Sequence, residues 1–425
     1  MKRRSFLKGT LTTSVTVATV NTGLLTSSKV LAEPNNKTTA TSDNKDTTIG
    51  KLNLAILGSG FAALTAVRQT RKNFPDADIT VIAPQAKMVY LPSLIWIPSG
   101  LREASDLEIN LTDFFDEENI NFIAASVENV THSGRTVVTD KGSFNNDGLI
   151  IATGGRFINK LPGLEHVITP CKGIAAAEQI KQRLESMTGG TIAVGFSGNP
   201  KDPAAVRGGP MFEFLFGIDT LLRRQDRRDK FKLVFFVPSK TPGKKLGEKV
   251  PKALLELMAE KGIETHLGHK IVKFEKNKVI TKGGEIIADL ILFMPGRTGP
   301  AWLDNSELVQ SEGGLIKANK FCQVEGLKAT YVAGDSGNFP GPKWQAKQAH
   351  SADLQATAAA NNLLQELEGE SQFETFKHEI VCIVDTLSHG IYVKRTAEKQ
   401  TLRSPSRLMH FAKRGFETVY LRHYR

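Results

Sequence analysis

The sequence predicts an α/β protein of two Rossmann-like dinucleotide-binding domains, the second inserted in the first, with a C-terminal amphipathic segment. Three observations carry that prediction. A short apolar strand at residues 52–57 runs through the turn GSGFAA into a helical pattern beginning near Phe61. Two later apolar strands end in glycine turns, DGLIIATGG at residues 147–155 and ATYVAGD at residues 329–335. Between them, TIAVGFSGNP at residues 191–200 repeats the strand-then-turn pattern, and KLVFFVPSK at residues 232–240 reads as the strand after it.

In chain order, MKRRSFLKG supplies a basic start. A weakly apolar, Thr/Val-rich stretch follows from about Thr10 to Leu25, and VLA ends at Ala32. This is the grammar of an export signal, with RRSFLK a twin-arginine variant. It predicts a periplasmic protein that crosses the membrane folded, with its cofactor already inserted. Residues 33–50 are polar and aperiodic and read as a flexible linker. In GSGFAA, Gly58 allows the tight turn and Gly60 lets the backbone approach a pyrophosphate. Ala63 permits close helix–strand packing, and the helix N-terminus offers donors to phosphates. The next strand, DITVIAP, ends at Ala83 where a ribose-binding acid is expected ~20 residues after the glycines, so that contact comes from elsewhere or is missing. Residues 51–165 and 285–365 are assigned to the first domain, 166–284 to the second, and 366–425 to a C-terminal region.

The bulk composition, 425 residues with 40% hydrophobic and 23% charged, suits several globular domains. Beyond the signal, no stretch approaches the ~20 apolar residues of a spanning helix. The net charge of +11 is uneven: residues 1–32 carry five Lys/Arg and no acid, and residues 391–425 carry nine Lys/Arg against Glu398 and Glu417. No nucleic-acid motif accompanies the basic tail, so an anionic membrane surface is its expected partner. In that tail, Leu408, Phe411, Ala412, Phe416, Val419 and Tyr420 recur at helical spacing, with Arg407, His410, Lys413 and Arg414 largely opposite. The pattern predicts a helix lying in the membrane interface. Three cysteines, Cys171, Cys322 and Cys382, are too few for a disulfide-built fold, and Cys322 reads as strand core. No metal site is expected.

With GSGFAA, the ATGG and AGD turns resemble the FAD signatures of glutathione-reductase-like flavoproteins. That resemblance implies FAD held at Gly58, Gly60, Phe61, Ala63, Pro92, Thr153, Gly154, Gly334 and Asp335, with the Asp335 carboxylate on the ribitol chain. The turn GFSGNP departs from GxGxxG, so the second domain is expected to keep its fold without its nicotinamide nucleotide.

Five segments resemble, in order and spacing, the sulfide:quinone oxidoreductases and the related flavocytochrome c sulfide dehydrogenases. They are YLPSLIWIPSGLRE from Tyr90, RGGPMFEF from Arg207, GDSGNFPGPKWQAKQAH from Gly334, CIVDTLSHG from Cys382, and the terminal RLMHFAKRGFETVYLRHYR. The resemblance implies sulfide or a related sulfur compound as donor and a membrane quinone as acceptor. Cys382 matches the C-terminal redox cysteine and Cys171 a further cysteine near the domain boundary. Glu213 would handle protons, and Lys343 would oppose negative charge on the reduced isoalloxazine. A helix from Trp344, with Gln348 and His350, would border the flavin and quinone pocket. The family places the partner of its C-terminal cysteine where this chain has Arg207. Either Cys171 replaces that partner or the donor differs, and an arginine there would hold an anionic substrate or stabilise a thiolate. Three alternatives stay open. One is a type II NADH dehydrogenase-like quinone reductase, and another a flavin subunit that feeds a c-type cytochrome. The third is an FAD-binding protein without sulfide turnover.

Overall fold

The run NLAIL forms β1 (Asn53–Leu57), which GSG delivers into α1 (Phe61–Asn73). The helix buries Ala62, Ala63 and Ala66 beside Leu64 and Val67, small residues that let it lie close to the sheet. β2 (Asp78–Ala83), β3 (Ile120–Ala124) and β4 (Gly148–Ile151) follow. The interior of β1 and all of β4 are buried, as expected of parallel strands covered on both faces. This computed structural model describes residues 51–371 and 373–425, so the export segment and the linker lie outside the described residues.

A second sheet is built from α2 (Ile174–Ser186), β5 (Gly190–Phe196), α3 (Gly209–Arg224), β6 (Phe231–Val237), α4 (Val250–Glu260), β7 (Ile263–Leu267) and β8 (Leu290–Met294). Its strands are parallel in the order β7-β6-β5-β8. The boundary after residue 284 assigns β8 to the returning first domain, but the pairing of Ile192 with Leu290 through Phe196 with Met294 places it beside β5. LILFM is buried at all five positions, and cover on both faces is available there.

The chain then returns. β9 (Thr330–Val332) completes the first sheet in the order β9-β4-β1-β2-β3, parallel throughout. α5 (Ala349–Leu367) packs on α1. It begins at Ala349, not at Trp344 as the sequence suggests, because Gln348 is extended and because the Lys347 ammonium is drawn back to the Gly334 and Gly337 carbonyls.

A small antiparallel sheet of β10 (Ile380–Asp385), β11 (Gly390–Arg395) and β12 (Gln400–Leu402) precedes α6 (Arg407–Leu421). The Ser406 hydroxyl caps α6 by accepting from the Leu408 N–H at 3.2 Å. α6 turns a stripe of polar residues, His410, Lys413 and Glu417, toward the protein. His410 and Glu417 are buried and Lys413 nearly so, whereas Leu408, Phe411, Phe416 and Val419 are 69%, 54%, 62% and 58% exposed. Polar groups go inside only where fixed partners satisfy them, and here each has one. Among the described residues, no helix is long and apolar enough to cross a membrane.

Candidate functional site

The carboxyl ends of both parallel sheets, the β10 strand and one edge of α6 enclose a single cavity of about 1960 Å³. Ligand pockets commonly measure about 300–1,000 Å³, so this one has room for a dinucleotide and a second molecule.

The GSGFAA turn forms one wall. Gly58 has φ +113°, and a Cβ there would lie 2.4 Å from the Ala152 carbonyl oxygen, so only glycine fits. Gly60 is the N-cap of α1, which has no side-chain cap, and a Cβ on Gly60 would meet nothing within 4 Å. Uncapped helix donors therefore face open space beside the turn, which suits a pyrophosphate. Phe61, Pro92, Thr153, Gly154, Gly334 and Asp335 line the same cavity, and Ala63 is fully buried behind the turn. At the ribose position Ala83 and Pro84 line the wall, without an acid. These residues fit FAD. Gly60→Val is expected to fold normally yet lose at least about tenfold in FAD occupancy, since its side chain fills the cradle without touching protein. The ratio of flavin absorbance to protein in purified samples checks this.

Asp335 is held by Arg207 at 2.5 Å and Arg297 at 3.0 Å. Burial works against its charge, but Arg207, Arg297 and Lys347 hold the carboxyl below the usual carboxylate range. Lys343 lines the cavity but is exposed. The buried ammonium at this turn belongs to Lys347, four residues on, and burial lowers its pKa to about 8.

Cys171, in a short turn before α2, and Cys382, on β10, line the cavity as free thiols; Cys322 is buried away from it. Burial pushes Cys171 up to about 11, against the pull of Arg207 and Arg297. Burial and Glu213 push Cys382 up to about 12, partly offset by Lys413.

Behind Cys382 lies a buried polar chain. The Glu213 carboxylate, in the first turns of α3, accepts from the Asp385 N–H at 2.9 Å and contacts the Lys413 ammonium. Lys413 reaches in from α6, donates to the Ile383 carbonyl at 3.3 Å and lies over the Trp96 ring. Burial raises the Glu213 carboxyl despite Lys413, so it can carry a proton nearer neutral pH than an ordinary glutamate. Asp385 accepts from Trp96 Nε1 at 3.0 Å and pairs with His410 Nδ1 at 2.7 Å. Glu417 takes Arg102 at 2.7 Å and the Ser93 hydroxyl. Gln348 donates to the Val381 carbonyl at 3.3 Å, its Oε1 finds no partner among the described residues, and His350 pairs with Glu379 at 2.8 Å.

The structure thus brings Arg207, Cys171, Glu213 and Cys382 to one cavity. Sequence reasoning missed Arg297, Lys347, Asp385 and the inward role of Lys413.

The second turn differs from the first. Residues 197–208 separate β5 from α3, so the strand does not feed a helix directly. Asn199 is buried and donates to the Arg297 and Gly313 carbonyls, both at 2.9 Å. A Cβ on Gly296 would fall 2.4 Å from the Gly198 backbone. The turn is braced by the neighbouring strand, and Ser197, Gly198, Asn199 and Pro200 line the cavity without running directly into a helix.

Residues 52–356 match the family described as pyridine nucleotide-disulphide oxidoreductase. A type II NADH:quinone oxidoreductase of Staphylococcus saprophyticus is 22% identical over 356 residues, covering 77% of this chain and 86% of that protein. The solved sulfide:quinone oxidoreductase of Aquifex aeolicus superposes with a TM-score of 0.80 at 22% identity, over 88% of this chain and 91% of that one. The NDH2 of Plasmodium falciparum, solved with NADH, gives 0.65 at 13% identity, over 88% and 95% of the two chains.

Proposed function

Because the chain belongs to the pyridine nucleotide-disulphide oxidoreductase family, we propose that it is an FAD-dependent quinone reductase of the sulfide:quinone type. The observation that carries this reading is the contrast between the two turns of one cavity. The first runs from strand straight into an uncapped helix, in a cavity that two thiols also line, whereas at the second residues 197–208 separate strand from helix and Asn199 is tied to the Arg297 and Gly313 carbonyls. The NADH:quinone reading rests on the named relatives, and the lack of a direct strand-to-helix glycine turn in the second domain weighs against it.

FAD bound at the first turn would supply two-electron acceptance from the thiol side and donation to a quinone. The protein's own residues then have definite tasks. If Cys171 and Cys382 are joined as a disulfide, hydrosulfide attack forms a new S–S bond on one sulfur, and the other departs as a thiolate with the electron pair of the broken bond. Arg207 and Arg297 stabilise negative charge at Cys171, and Lys413 does so at Cys382. Glu213 takes up or returns the proton. In the single-thiol scheme Cys382 works alone, with Arg207 holding the anion.

The exposed apolar face of α6, flanked by Arg407, Arg422 and Arg425, suits docking on an anionic membrane where a quinone is reached. The MKRRSFLKG start supports a periplasmic location. Removing residues 403–425 would be a poor test of docking, because it also takes His410, Lys413 and Glu417 from their buried partners. Replacing Phe411 and Phe416 by Ser is expected to release the protein from anionic vesicles while FAD stays bound, as co-sedimentation would show. The activity itself is tested by steady-state quinone reduction with sulfide or NADH as donor. Sulfide is expected to support turnover; turnover with NADH alone would favour the other reading.

A further inference from the structure

Phe416 and Val419 of α6 line the cavity although both are exposed, so the cavity opens on the apolar face that also carries Leu408 and Phe411. Beside Val419, Tyr420 packs against Phe61 of the glycine turn and against Tyr90, with ring centroids 5.2 and 5.5 Å apart. Asp353, in the second turn of α5, lines the same cavity. Burial raises the hydroxyls of Tyr90 and Tyr420, Glu417 adds to this at Tyr90, and the Asp353 charge raises both. Asp353 Oδ1 accepts from the Thr65 hydroxyl of α1 at 2.7 Å. Among the described residues Asp353 forms no ion pair, and His350, one turn earlier on α5, is the cation-forming group that bears on it. The other ionisable groups on this side are Arg68 of α1, which bears on Tyr424, and His423, which lines the cavity just beyond α6.

A carboxyl buried without a cation keeps its proton more readily than an exposed one. Burial pushes Asp353 up to about 6, against the pull of Thr65 and His350. A group that titrates near the working pH can both give and regain a proton, as a general acid must. His350 leads outward: its side chain is 38% exposed and pairs with Glu379, which also holds the exposed Lys377 at 3.2 Å and Lys394 at 3.5 Å. A proton lost from Asp353 is therefore replaceable from a solvated edge. Reducing a quinone to a quinol takes two electrons and two protons. Two electrons and one proton arrive from the anionic reduced flavin, so one proton must come from elsewhere. We propose that Asp353 donates that proton to a quinone oxygen at this mouth, its O–H bond breaking as the quinol O–H forms. The assignment rests on the quinone-reductase reading above. Glu213 lies behind Cys382 and serves the thiol side, so the two carboxyls divide the proton traffic of the two half-reactions.

The test reduces the FAD-loaded protein photochemically, with no sulfur donor, and follows flavin absorbance after mixing with decylubiquinone. Asp353→Asn keeps an acceptor for Thr65, and with it the contact between α1 and α5. It is expected to slow reoxidation about 10²-fold, the lower end of what a positioned acid supplies, with FAD content and photoreduction unchanged. Asp353→Glu should recover part of the rate. In the parent protein the rate should fall as pH rises through about 6, where the acid loses its proton, and Asp353→Asn should lack that dependence. Thr65→Val removes a hydrogen bond that lowers the carboxyl, so its profile should move to higher pH. A purely structural tie between the helices would produce no such shift. Infrared spectra of the oxidised protein without quinone, parent minus Asp353→Asn, should show one carboxyl that titrates at about 6. Absence of that carboxyl overturns the proposal. So does reoxidation of Asp353→Asn within about threefold of the parent and with the same pH profile, far short of a lost general acid; either result leaves the quinone reading standing. Failure of the quinone to reoxidise even the parent removes that reading, and the proposal with it.

Discussion

Cys382→Ser is expected to lower flavin reduction by sulfide by about 10³-fold or more, leaving FAD bound and photochemical reduction intact. The size follows from removing the sulfur that forms the covalent bond, a loss that positioning elsewhere does not replace. The environment adds a pH signature. Burial and Glu213 hold the reduced Cys382 up at about 12, so the neutral thiol prevails at neutral pH. Its alkylation by iodoacetamide should rise steadily from pH 7 to pH 10 without a plateau, and Lys413→Met should slow it further. Cys171→Ser separates the two schemes: loss as complete as for Cys382→Ser indicates a disulfide, whereas a mild effect indicates a single thiol assisted by Arg207. Cys322→Ser should cost only packing.

The second large effect is on stability. Lys413→Met leaves Glu213 buried without its cation, and breaking a buried pair costs about 3 kcal/mol or more. The Glu213 carboxyl is already raised by burial, and loss of Lys413 raises it further. A carboxyl whose folded pKa exceeds its unfolded value favours the folded state as it takes up a proton. The deficit should therefore be full above that raised pKa and shrink as pH falls through it. Adding Glu213→Gln should recover most of the loss, whereas additive costs would mean that the pair is not coupled. Thermal melts of FAD-loaded protein across a pH series read all three variants.

Much of the fold was legible because parallel strands are written as apolar runs and their turns as glycine patterns. NLAIL–GSG–FAAL specified a strand, a turn and a helix, and the observed elements begin within a residue of that reading. The boundary at β8 was not legible, since LILFM suits either sheet and only pairing with β5 decides. The helix expected from Trp344 failed for a tertiary reason: Lys347 turns back to the Gly334 loop. α6 shows the limit of periodicity most clearly. Its spacing grouped Leu408, Phe411, Phe416 and Val419 on one face but put Tyr420 with them, although Tyr420 packs inward on Phe61 and Tyr90, and the sequence does not contain the distant partners Asp385, Glu213 and Ser93 that draw His410, Lys413 and Glu417 inward. The cofactor wall was readable because its residues are local in sequence. Lys347 and Arg297 were not, because their role depends on the single carboxylate of Asp335.

The most direct measurement is an anaerobic rapid-mixing experiment on the FAD-loaded protein, following flavin absorbance after addition of sulfide or NADH and then of a quinone. The proposed function predicts fast bleaching by sulfide, recovery of the oxidised spectrum with quinone, and no appreciable bleaching by NADH. Fast bleaching by NADH with none by sulfide would contradict it.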